Sequence, residues 1–315
     1  MHDPGFISGS GKVLIAAPVH SVLTEGLAAC GYECIVHEHI SQSIAYELIK
    51  DCVGVITSTR LQLDKGFIDA APLLKWIGRM GSGMEVIDLD YAADKEIVCF
   101  SSPEGNCNAV GEHALGMLIA LMRRIVWSHS EIARGIWHRE ENRGTELEGK
   151  TIGIIGYGHT GSAFAKKLMG FDIRILAYDK YKPDGIPSHI VRCDGLEQIF
   201  EEADIVSFHV PLQDDTRHYF NGSFIAKMRK PFILINTSRG IVVDTDALLQ
   251  GIASGKVAGA CLDVFEQEPV TKDSQGFSDL LVALPNVVVT PHIAGYTFEA
   301  LYKMSKVLLN KIKVL

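Results

Sequence analysis

Short apolar runs alternate with amphipathic stretches along almost the whole chain, and this alternation constrains the fold more than any other feature. The first series, between residues 12 and 102, reads KVLIAA, ECIVHE, VGVITS, KWIGRM and VCFSS. The second, between residues 151 and 291, reads TIGIIGY, IRILAYD, DIVSFHV, FILIN, GACLDVF and VVVTP. Apolar strands that alternate with helices are typical of βα units in a parallel sheet. The pattern therefore predicts an α/β protein with two doubly wound parallel-sheet domains.

The stretch between the two series has a different pattern. Residues 108–129 have the pattern of one long helix that is apolar on most of its sides. Helices of that kind are normally buried between domains or between subunits. His113 lies in this stretch, and we expect it to make an interdomain contact, the alternative being a contact with substrate or cofactor. The last stretch, residues 298–315, has the pattern of another amphipathic helix, which we expect to fold back over the first domain.

Composition argues against several classes of partner. The 315 residues are enough for two domains, and 47% hydrophobic with 22% charged residues is a globular composition. The net charge is −8 and no stripe of Lys and Arg is present, which argues against nucleic acid or an anionic membrane as a partner. No apolar stretch reaches the roughly eighteen residues needed to cross a bilayer.

The N-terminus and the cysteines indicate a cytoplasmic protein. The opening MHDPGFISGSGK lacks the apolar core of a signal peptide, and we expect residues 1–11 to form a flexible leader. Seven cysteines, an odd number without a Cys-x-x-Cys pair, favour reduced thiols. His37 and His39 share one face of a predicted strand, but no third ligand accompanies them. We therefore expect exposed histidines and no metal site.

A glycine-rich turn opens the second series. Gly156, Gly158 and Gly161 follow the run TIGII and precede a helical pattern, in the spacing Gly-x-Gly-x-x-Gly. Asp179 ends the next strand, eighteen residues after Gly161. In a dinucleotide-binding fold such glycines admit a pyrophosphate to the helix N-terminus, and the acid binds the ribose hydroxyls. The alternative is a structural turn followed by an incidental aspartate.

The same aspartate bears on the choice of cofactor. Asp179 would repel the 2′-phosphate of NADP, whereas it can accept hydrogen bonds from the ribose of NAD. Lys180 and Lys182 lie nearby in the sequence and weaken this preference slightly. We predict NAD as the cofactor.

Ionisable side chains follow the later strands of the second series. Arg239 comes after FILIN, Glu268 lies in the segment DVFEQEP with Asp263 just before it, and His292 follows VVVTP. In doubly wound sheets, ligands bind outside the carboxyl ends of the strands. We therefore expect these side chains to converge on one crevice.

Their chemistry suits a hydroxy acid substrate. A histidine can take a hydroxyl proton near neutral pH while a hydride leaves for NAD. A carboxylate on its second ring nitrogen fixes the ring and stabilises the imidazolium, and an arginine matches a substrate carboxylate. Taken singly, Arg239 could instead be a surface ion-pair partner, Glu268 a solvated loop acid and His292 a buried capping residue. Together they favour an α-hydroxy or α-keto carboxylate.

From about Lys12 to its end, the chain resembles the D-isomer-specific 2-hydroxyacid dehydrogenases. The segments that carry the resemblance are EGNCNAVGEHALGMLIALMRR, GKTIGIIGYGHTGSAFAKKL, NTSRG, DVFEQEP and TPHIAG. The resemblance implies a Rossmann NAD domain of residues 105–295, inserted into a flavodoxin-like substrate domain of residues 1–104 and 296–315. It also implies a homodimer through the helix region 108–129.

The resemblance further implies roles for individual residues. Arg239 would bind the substrate carboxylate, Glu268 would partner His292, and His292 would be the acid–base. The backbone of Gly81, Ser82 and Gly83 would also hold the carboxylate. Positions expected to contact the cofactor are Gly156, Gly158, His159, Thr160, Gly161, Asp179, His209, Val210, Pro211, Thr237, Ser238, Asp263 and Gly295.

Within the family, the chain is most similar to phosphoglycerate dehydrogenase-like proteins, so 3-phosphoglycerate and serine biosynthesis are the first expectation. The chain departs from them at Ser58, where an arginine that helps to bind the phosphate is expected. Arg60 and Arg79 remain as candidates for a phosphate, and either could be an ordinary surface charge. The alternative enzyme is a glyoxylate or hydroxypyruvate reductase. A third hypothesis is an NAD-responsive, corepressor-like interaction module.

Overall fold

The computed structural model describes residues 10–181, 185–270 and 280–315. The chain divides into two compact units. The first unit comprises Met1–Cys107 and Tyr296–Leu315, and the second comprises Asn108–Gly295. Most of the predicted leader, residues 1–9, and Lys182 lie outside the described residues.

The first unit is built on a five-stranded parallel sheet. Its strands are β1 (Gly11–Ile15), β2 (Tyr32–Val36), β3 (Cys52–Thr57), β4 (Trp76–Arg79) and β5 (Val98–Ser101). They lie in the order β2-β1-β3-β4-β5, which is the order of flavodoxin-like sheets. Each strand overlaps the apolar run that predicted it. The central strands β3 and β4 are buried along nearly their whole length, as strands covered on both faces are.

Short helices connect these strands, namely α1 (Ser21–Ala29), α2 (Gln42–Leu48), α3 (Lys65–Asp69) and α4 (Leu89–Asp94). Polar side chains cap all four: those of His20, Ser41, Asp64 and Asp88 accept backbone N–H groups of the first turn. The C-terminal helix of the chain, Phe298–Ile312, packs against α1, where the side chain of Leu309 fills the space beside Gly26. This contact confirms the predicted return of the last helix to the first domain.

The second unit contains a seven-stranded parallel sheet. Its strands are β6 (Thr151–Ile155), β7 (Arg174–Tyr178), β8 (Val191–Arg192), β9 (Ile205–Phe208), β10 (Phe232–Asn236), β11 (Val257–Leu262) and β12 (Val287–Val289). They lie in the order β12-β11-β10-β9-β6-β7-β8. The chain reverses direction across the sheet between β6 and β9, which is the switch point of a Rossmann fold. Strand β8 was not predicted from the sequence, because two residues are too short for a recognisable apolar run.

Both faces of this sheet are covered, as a doubly wound fold requires. Leu234 and Val206 belong to one buried cluster, while their chain neighbours Ile235 and Ile205 belong to the cluster on the opposite face. The covering helices include α7 (His159–Leu168), α8 (Glu197–Glu202), α9 (Gly222–Lys227) and α10 (Thr245–Ala253). The alternation of side chains along each strand therefore builds two cores, one on each face.

The prediction of a single helix over residues 108–129 is wrong. The chain forms α5 (Pro103–Met122) and a separate α6 (Ile125–Ala133). Arg124, between them, has a left-handed φ of 53°, and the carbonyl of Met122 accepts a hydrogen bond from the N–H of Thr145 at 2.9 Å. A non-helical residue and a carbonyl bonded outside the helix end α5 at this point.

Several structural observations bear on the class of protein. All seven cysteines are free thiols. Across the described part of the chain, no helix has the length and apolar character needed to cross a membrane. Within the same residues, no group of three or more His, Cys, Asp or Glu side chains is arranged to hold a metal ion.

Candidate active site

The glycine loop follows β6 and begins α7, and each glycine has its own role. Gly156 has a φ of 91°, and a Cβ there would collide with the carbonyl of His209. A Cβ on Gly161 would collide with the carbonyl of Gly156, so this glycine allows helix and strand to pack closely. Gly158 caps α7 and faces open space. His159 and Thr160 form the first turn. This geometry leaves room for a pyrophosphate at the helix N-terminus.

Asp179 follows β7 and is held by backbone donors. Its carboxylate accepts hydrogen bonds from the N–H of Tyr157 at 2.7 Å and of Tyr181 at 2.8 Å. Lys180 is paired with Asp215 at 2.6 Å, which raises the pKa of the lysine. A cavity of about 180 Å³ lies beside the carboxylate and is lined by Tyr178, Asp179, Lys180, Ile186, Arg192, Cys193 and Asp194. Asp179 therefore contacts the glycine loop through the N–H of Tyr157 and also lines this cavity.

A larger open depression, of about 580 Å³, lies at the other end of the sheet. It is lined by Thr151, Glu201, Glu202, Arg229 and Lys230. Thr151 begins β6, so this depression faces the amino ends of the strands. Ligands of doubly wound sheets bind at the carboxyl ends, and we assign the depression no role in binding.

His209, Val210 and Pro211 follow β9, next to the glycine loop at the switch point. The ring of His209 is buried, and its Nε2 lies 2.8 Å from the hydroxyl of Ser207. Burial lowers the pKa of His209 to about 3. The ring is therefore neutral throughout the physiological range, and its side chain carries no charge into the cofactor region.

The loop after β10 is shaped by a buried asparagine. Asn236 donates from Nδ2 to the carbonyl of Arg239 at 3.0 Å, and its Oδ1 accepts from the N–H and hydroxyl of Ser238 at 3.1 and 2.7 Å. Within the described residues, the buried hydroxyl of Thr237 has no hydrogen-bond partner. A Cβ on Gly240 would collide with the carbonyl of Phe265. The glycine after the arginine therefore lets this loop lie directly on the segment that leads to Glu268.

Glu268 and His292 are brought together by that segment and the loop after β12. His292 Nδ1 lies 2.6 Å from Glu268 Oε2, and Glu268 Oε1 accepts the N–H of Phe265 at 2.8 Å. Burial alone would raise the pKa of Glu268, but the hydrogen bonds from His292 and Phe265 and the charge of Arg239 leave it below its ordinary value. Three side chains singled out from the sequence are thus neighbours in the structure.

The predicted cofactor contact Asp263 is already engaged by protein groups. Its buried carboxylate accepts hydrogen bonds from the hydroxyl of Thr290 and the N–H groups of Ile293 and Ala294. Its partners belong to the loop that carries His292 and ends at Gly295. Thr290 was not predicted from the sequence, because a threonine after a strand has no distinguishing signal. The role of Asp263 in holding this loop was also missed.

His113 makes a contact that differs from the predicted one. Its Nε2 lies 2.9 Å from Thr290 Oγ1, so it contacts the His292 loop inside the second unit. Thr290 is 177 positions away from His113 in the sequence. No local pattern could have predicted a partner at that separation.

The predicted substrate residues lie in the first unit, where Arg60 follows β3, Arg79 ends β4 and Gly81–Gly83 follow β4. Arg60 is exposed and lies 2.5 Å from His39 Nδ1. Arg79 is 8% exposed, and its guanidinium donates to the carbonyl of Met80 at 2.6 Å. The same guanidinium fills the space beside Gly81, whose φ is 123°. Arg79 is thus a buried support of the Gly81–Gly83 loop, which includes Ser82, and not the surface charge considered from the sequence.

Comparison with known proteins identifies the family to which this site belongs. The sequence profile of the D-isomer specific 2-hydroxyacid dehydrogenase, NAD binding domain, matches residues 115–294. Hydroxypyruvate reductase from Thermotoga maritima is 36% identical over 88% of this chain and 89% of its own length. D-3-phosphoglycerate dehydrogenase from Methanocaldococcus jannaschii is 33% identical over 96% of this chain, which spans only 57% of that relative.

A solved structure agrees with the fold. D-lactate dehydrogenase from Aquifex aeolicus, complexed with NAD and lactic acid, has a TM-score of 0.81 to this chain at 27% identity, covering 96% of this chain and 94% of that one. The predicted fold of two parallel-sheet α/β domains and the predicted cofactor NAD are confirmed. The chain belongs to the D-isomer specific 2-hydroxyacid dehydrogenase family, whose members are NAD-dependent oxidoreductases that act on CH–OH donors.

Proposed function

We propose that this protein interconverts a small 2-hydroxy acid and its 2-keto acid with NAD as the hydride carrier. The observation that carries the proposal is the 2.6 Å contact between His292 Nδ1 and Glu268 Oε2. The charge of Arg239, from the loop after β10, acts on the same carboxylate. A histidine paired with a carboxylate is a proton-transfer group, and an arginine beside it is a receptor for a carboxylate. The same three roles are implied by the resemblance of the sequence.

The carboxylate decides which nitrogen of His292 exchanges a proton. Ionised Glu268 can only accept hydrogen bonds, so Nδ1 of His292 carries a hydrogen. Nε2 is then the nitrogen that takes the hydroxyl proton of the substrate during oxidation and returns a proton during reduction. Because Glu268 stays ionised at neutral pH, it also stabilises the imidazolium that forms.

Other residues of the second unit fit the dinucleotide. When bound, NAD supplies or accepts the hydride at its nicotinamide ring. Gly158 leaves open space at the N-terminus of α7, and the buried hydroxyl of Thr237 has no partner among the described residues. Asp179 stands where a ribose is bound in such folds and excludes a 2′-phosphate by its charge. Arg239 presents a fixed positive charge near Glu268 for the carboxylate of the acid.

For the acid itself, an unphosphorylated 2-keto acid such as hydroxypyruvate or glyoxylate is supported best. This reverses the order expected from the sequence. Arg79, one of the two arginines considered for a phosphate, is buried beneath Gly81 and bonded to the carbonyl of Met80. Ser58 already stands where a phosphate-binding arginine was expected. Similarity to the hydroxypyruvate reductase from Thermotoga maritima agrees with this choice.

The second candidate substrate is 3-phosphoglycerate, and the observation that favours it is the environment of Arg60. This arginine is exposed just beyond β3, at the carboxyl edge of the first sheet, and His39 beside it offers a second donor to a phosphate. Similarity to the phosphoglycerate dehydrogenase from Methanocaldococcus jannaschii points the same way.

We also propose a homodimer that uses the region around α6. Large apolar side chains of this region are exposed, namely Ile125, Val126, Ile132 and Trp137. Exposed apolar side chains that lie close together in the sequence are more typical of an interface than of a solvated surface. Light scattering after size-exclusion chromatography would measure the mass, and a monomer at micromolar concentration would contradict this assembly.

The activity is tested by following NADH oxidation with hydroxypyruvate, glyoxylate, pyruvate and 3-phosphohydroxypyruvate, with NADPH in parallel. We expect turnover of an unphosphorylated acid with NADH, and a loss of at least roughly 10² in turnover for His292→Ala. His189→Ala, at an exposed position of the same unit, is the control. Preference for the phosphorylated acid, lost in Arg60→Ala, would favour the second candidate. Binding of NADH without turnover of any acid would favour an interaction module.

A further inference from the structure

A hydrogen-bond network holds the His292 loop from the side of the sheet. Asp263 directly follows β11 and is 1% exposed. Its carboxylate accepts from the hydroxyl of Thr290 at 2.6 Å and from the N–H groups of Ile293 and Ala294 at 2.9 Å each, while its main-chain carbonyl accepts from the N–H of His292 at 2.7 Å. A buried carboxylate is tolerated only when it is hydrogen-bonded. The loop therefore satisfies the carboxylate of Asp263, and the carboxylate holds the loop in place.

His113 enters this network from α5. Its Nε2 lies 2.9 Å from Thr290 Oγ1 and 3.6 Å from Asp263 Oδ1. Thr290 has one hydroxyl proton, and Asp263 at 2.6 Å is a far better acceptor than the sulfur of Met117 at 3.7 Å. Thr290 is therefore an acceptor toward His113, and His113 must carry a hydrogen on Nε2. The direction of every hydrogen bond from α5 to the His292 loop is thus determined.

We propose that His113 is a positioning residue for His292 and acts through Thr290 and Asp263. This inference rests on the proposed function, in which His292 is the acid–base. The backbone of His292 has a left-handed φ of 54°. Residues other than glycine seldom adopt this conformation, and they keep it where the surrounding structure holds it in place. Without a donor from position 113, the Thr290 hydroxyl loses the contact that ties it and the loop of His292 to α5. Loss of this donor should therefore lower the rate of proton transfer by His292 and leave the affinity for the cofactor unchanged.

The first test compares His113→Leu with His113→Gln, because a glutamine amide keeps an N–H donor on a side chain of similar reach. We expect His113→Leu to lower kcat about ten- to a hundredfold, the effect of a small misplacement of a reacting group. His113→Gln should keep kcat within about threefold, and both should keep the Kd for NADH within about twofold. Equal losses in the two variants, or a loss confined to the Kd for NADH, would overturn the proposal.

The second test addresses the route through Thr290 and does not depend on how well a leucine is tolerated at position 113. Thr290→Val removes the hydroxyl, while Thr290→Ser keeps it. We expect Thr290→Val to behave like His113→Leu and Thr290→Ser to behave like the unmodified protein. In the double variant His113→Leu/Thr290→Val, kcat should be no lower than in Thr290→Val alone, because one residue acts through the other. Additive losses would mean that the two residues act separately.

Histidine NMR of the substrate-free protein separates this proposal from the proposed function. The ring resonances of His292 should move in His113→Leu and stay in place in His113→Gln. If they do so while the unmodified protein turns over no 2-keto acid, the network stands and the proposed function fails. If the unmodified protein is active and the His292 resonances are the same in both variants, the positioning role alone is overturned.

Discussion

Replacing His209 by glutamine should flatten the acid side of the stability profile of this protein. The ring of His209 is buried beside Ser207, and burial lowers its pKa to about 3, whereas a histidine in an unfolded chain titrates near 6.5. Between these values the unfolded chain binds one proton more than the folded one. The stability associated with the neutral ring is therefore complete above pH 6.5 and is lost as the pH falls toward 3.

The size of this loss of stability follows from the difference between the pKa values of His209 in the folded and the unfolded chain. Each pH unit below 6.5 lowers the free energy of unfolding by about 1.4 kcal/mol for this one group. Because the histidine of the unfolded chain is only partly protonated near pH 6.5, the loss between pH 7 and pH 5 is about 2 kcal/mol. His209→Gln removes the titrating group and keeps an amide near the hydroxyl of Ser207. The variant should be less stable than the unmodified protein at pH 7, by about 1 kcal/mol for a weakened hydrogen bond, but less sensitive to acid.

Urea unfolding at pH 7, 6 and 5, followed by both circular dichroism and tryptophan fluorescence, measures this difference. Coincidence of the two curves is the check that a single free energy of unfolding applies. His189→Gln is the matched control, because His189 is exposed, and it should keep the pH dependence of the unmodified protein. If His209→Gln loses as much stability between pH 7 and pH 5 as the unmodified protein, the buried ring is not the source and the reasoning fails.

Two further predictions concern the loops around Glu268. A Cβ at position 240 would collide with the carbonyl of Phe265, so Gly240→Ala should displace Arg239. We expect KM for the acid to rise about tenfold or more, with little change in the Kd for NADH. Steady-state kinetics measure the first quantity and NADH titration the second. Hydrogen bonds keep the pKa of Glu268 below its ordinary value despite burial, so the stability it contributes is present above about pH 4.5 and is lost as the pH falls through the lowered value. Urea unfolding should therefore show Glu268→Gln losing less stability than the unmodified protein below pH 4.5, and an identical acid dependence would contradict the assignment.

The strands were the most predictable part of the fold. The run FILIN coincides with β10, Phe232–Asn236, because a strand buried on both faces leaves an unbroken apolar stretch. The end of α5 at Met122 was not predictable, because neither glycine nor proline interrupts the helical pattern there. The helix ends through the left-handed Arg124 and the hydrogen bond from Thr145, and a contact of that kind is made only in the folded chain.

The candidate site, too, was predictable from the sequence in part only. Residue type and position at strand ends were enough to single out Arg239, Glu268 and His292, since parallel strands deliver their carboxyl ends to one edge. The burial of Arg79 depends on how its side chain folds beneath the following glycine. The contact of His113 depends on the packing of α5 against a loop far away in the sequence. Such roles are set by tertiary contacts and leave no local pattern.

Among the residues that the structure describes, the hydrogen bonds of His292 and Glu268 are made within the second unit, while Arg60 and the Gly81–Gly83 loop belong to the first. Under the proposed function, proton transfer and discrimination among acids are therefore encoded on separate sheets. Substitutions after β3 and β4 can change which acid is accepted without disturbing the network that orients the imidazole. Natural selection can thus change the substrate specificity of such an enzyme while the proton-transfer machinery stays the same.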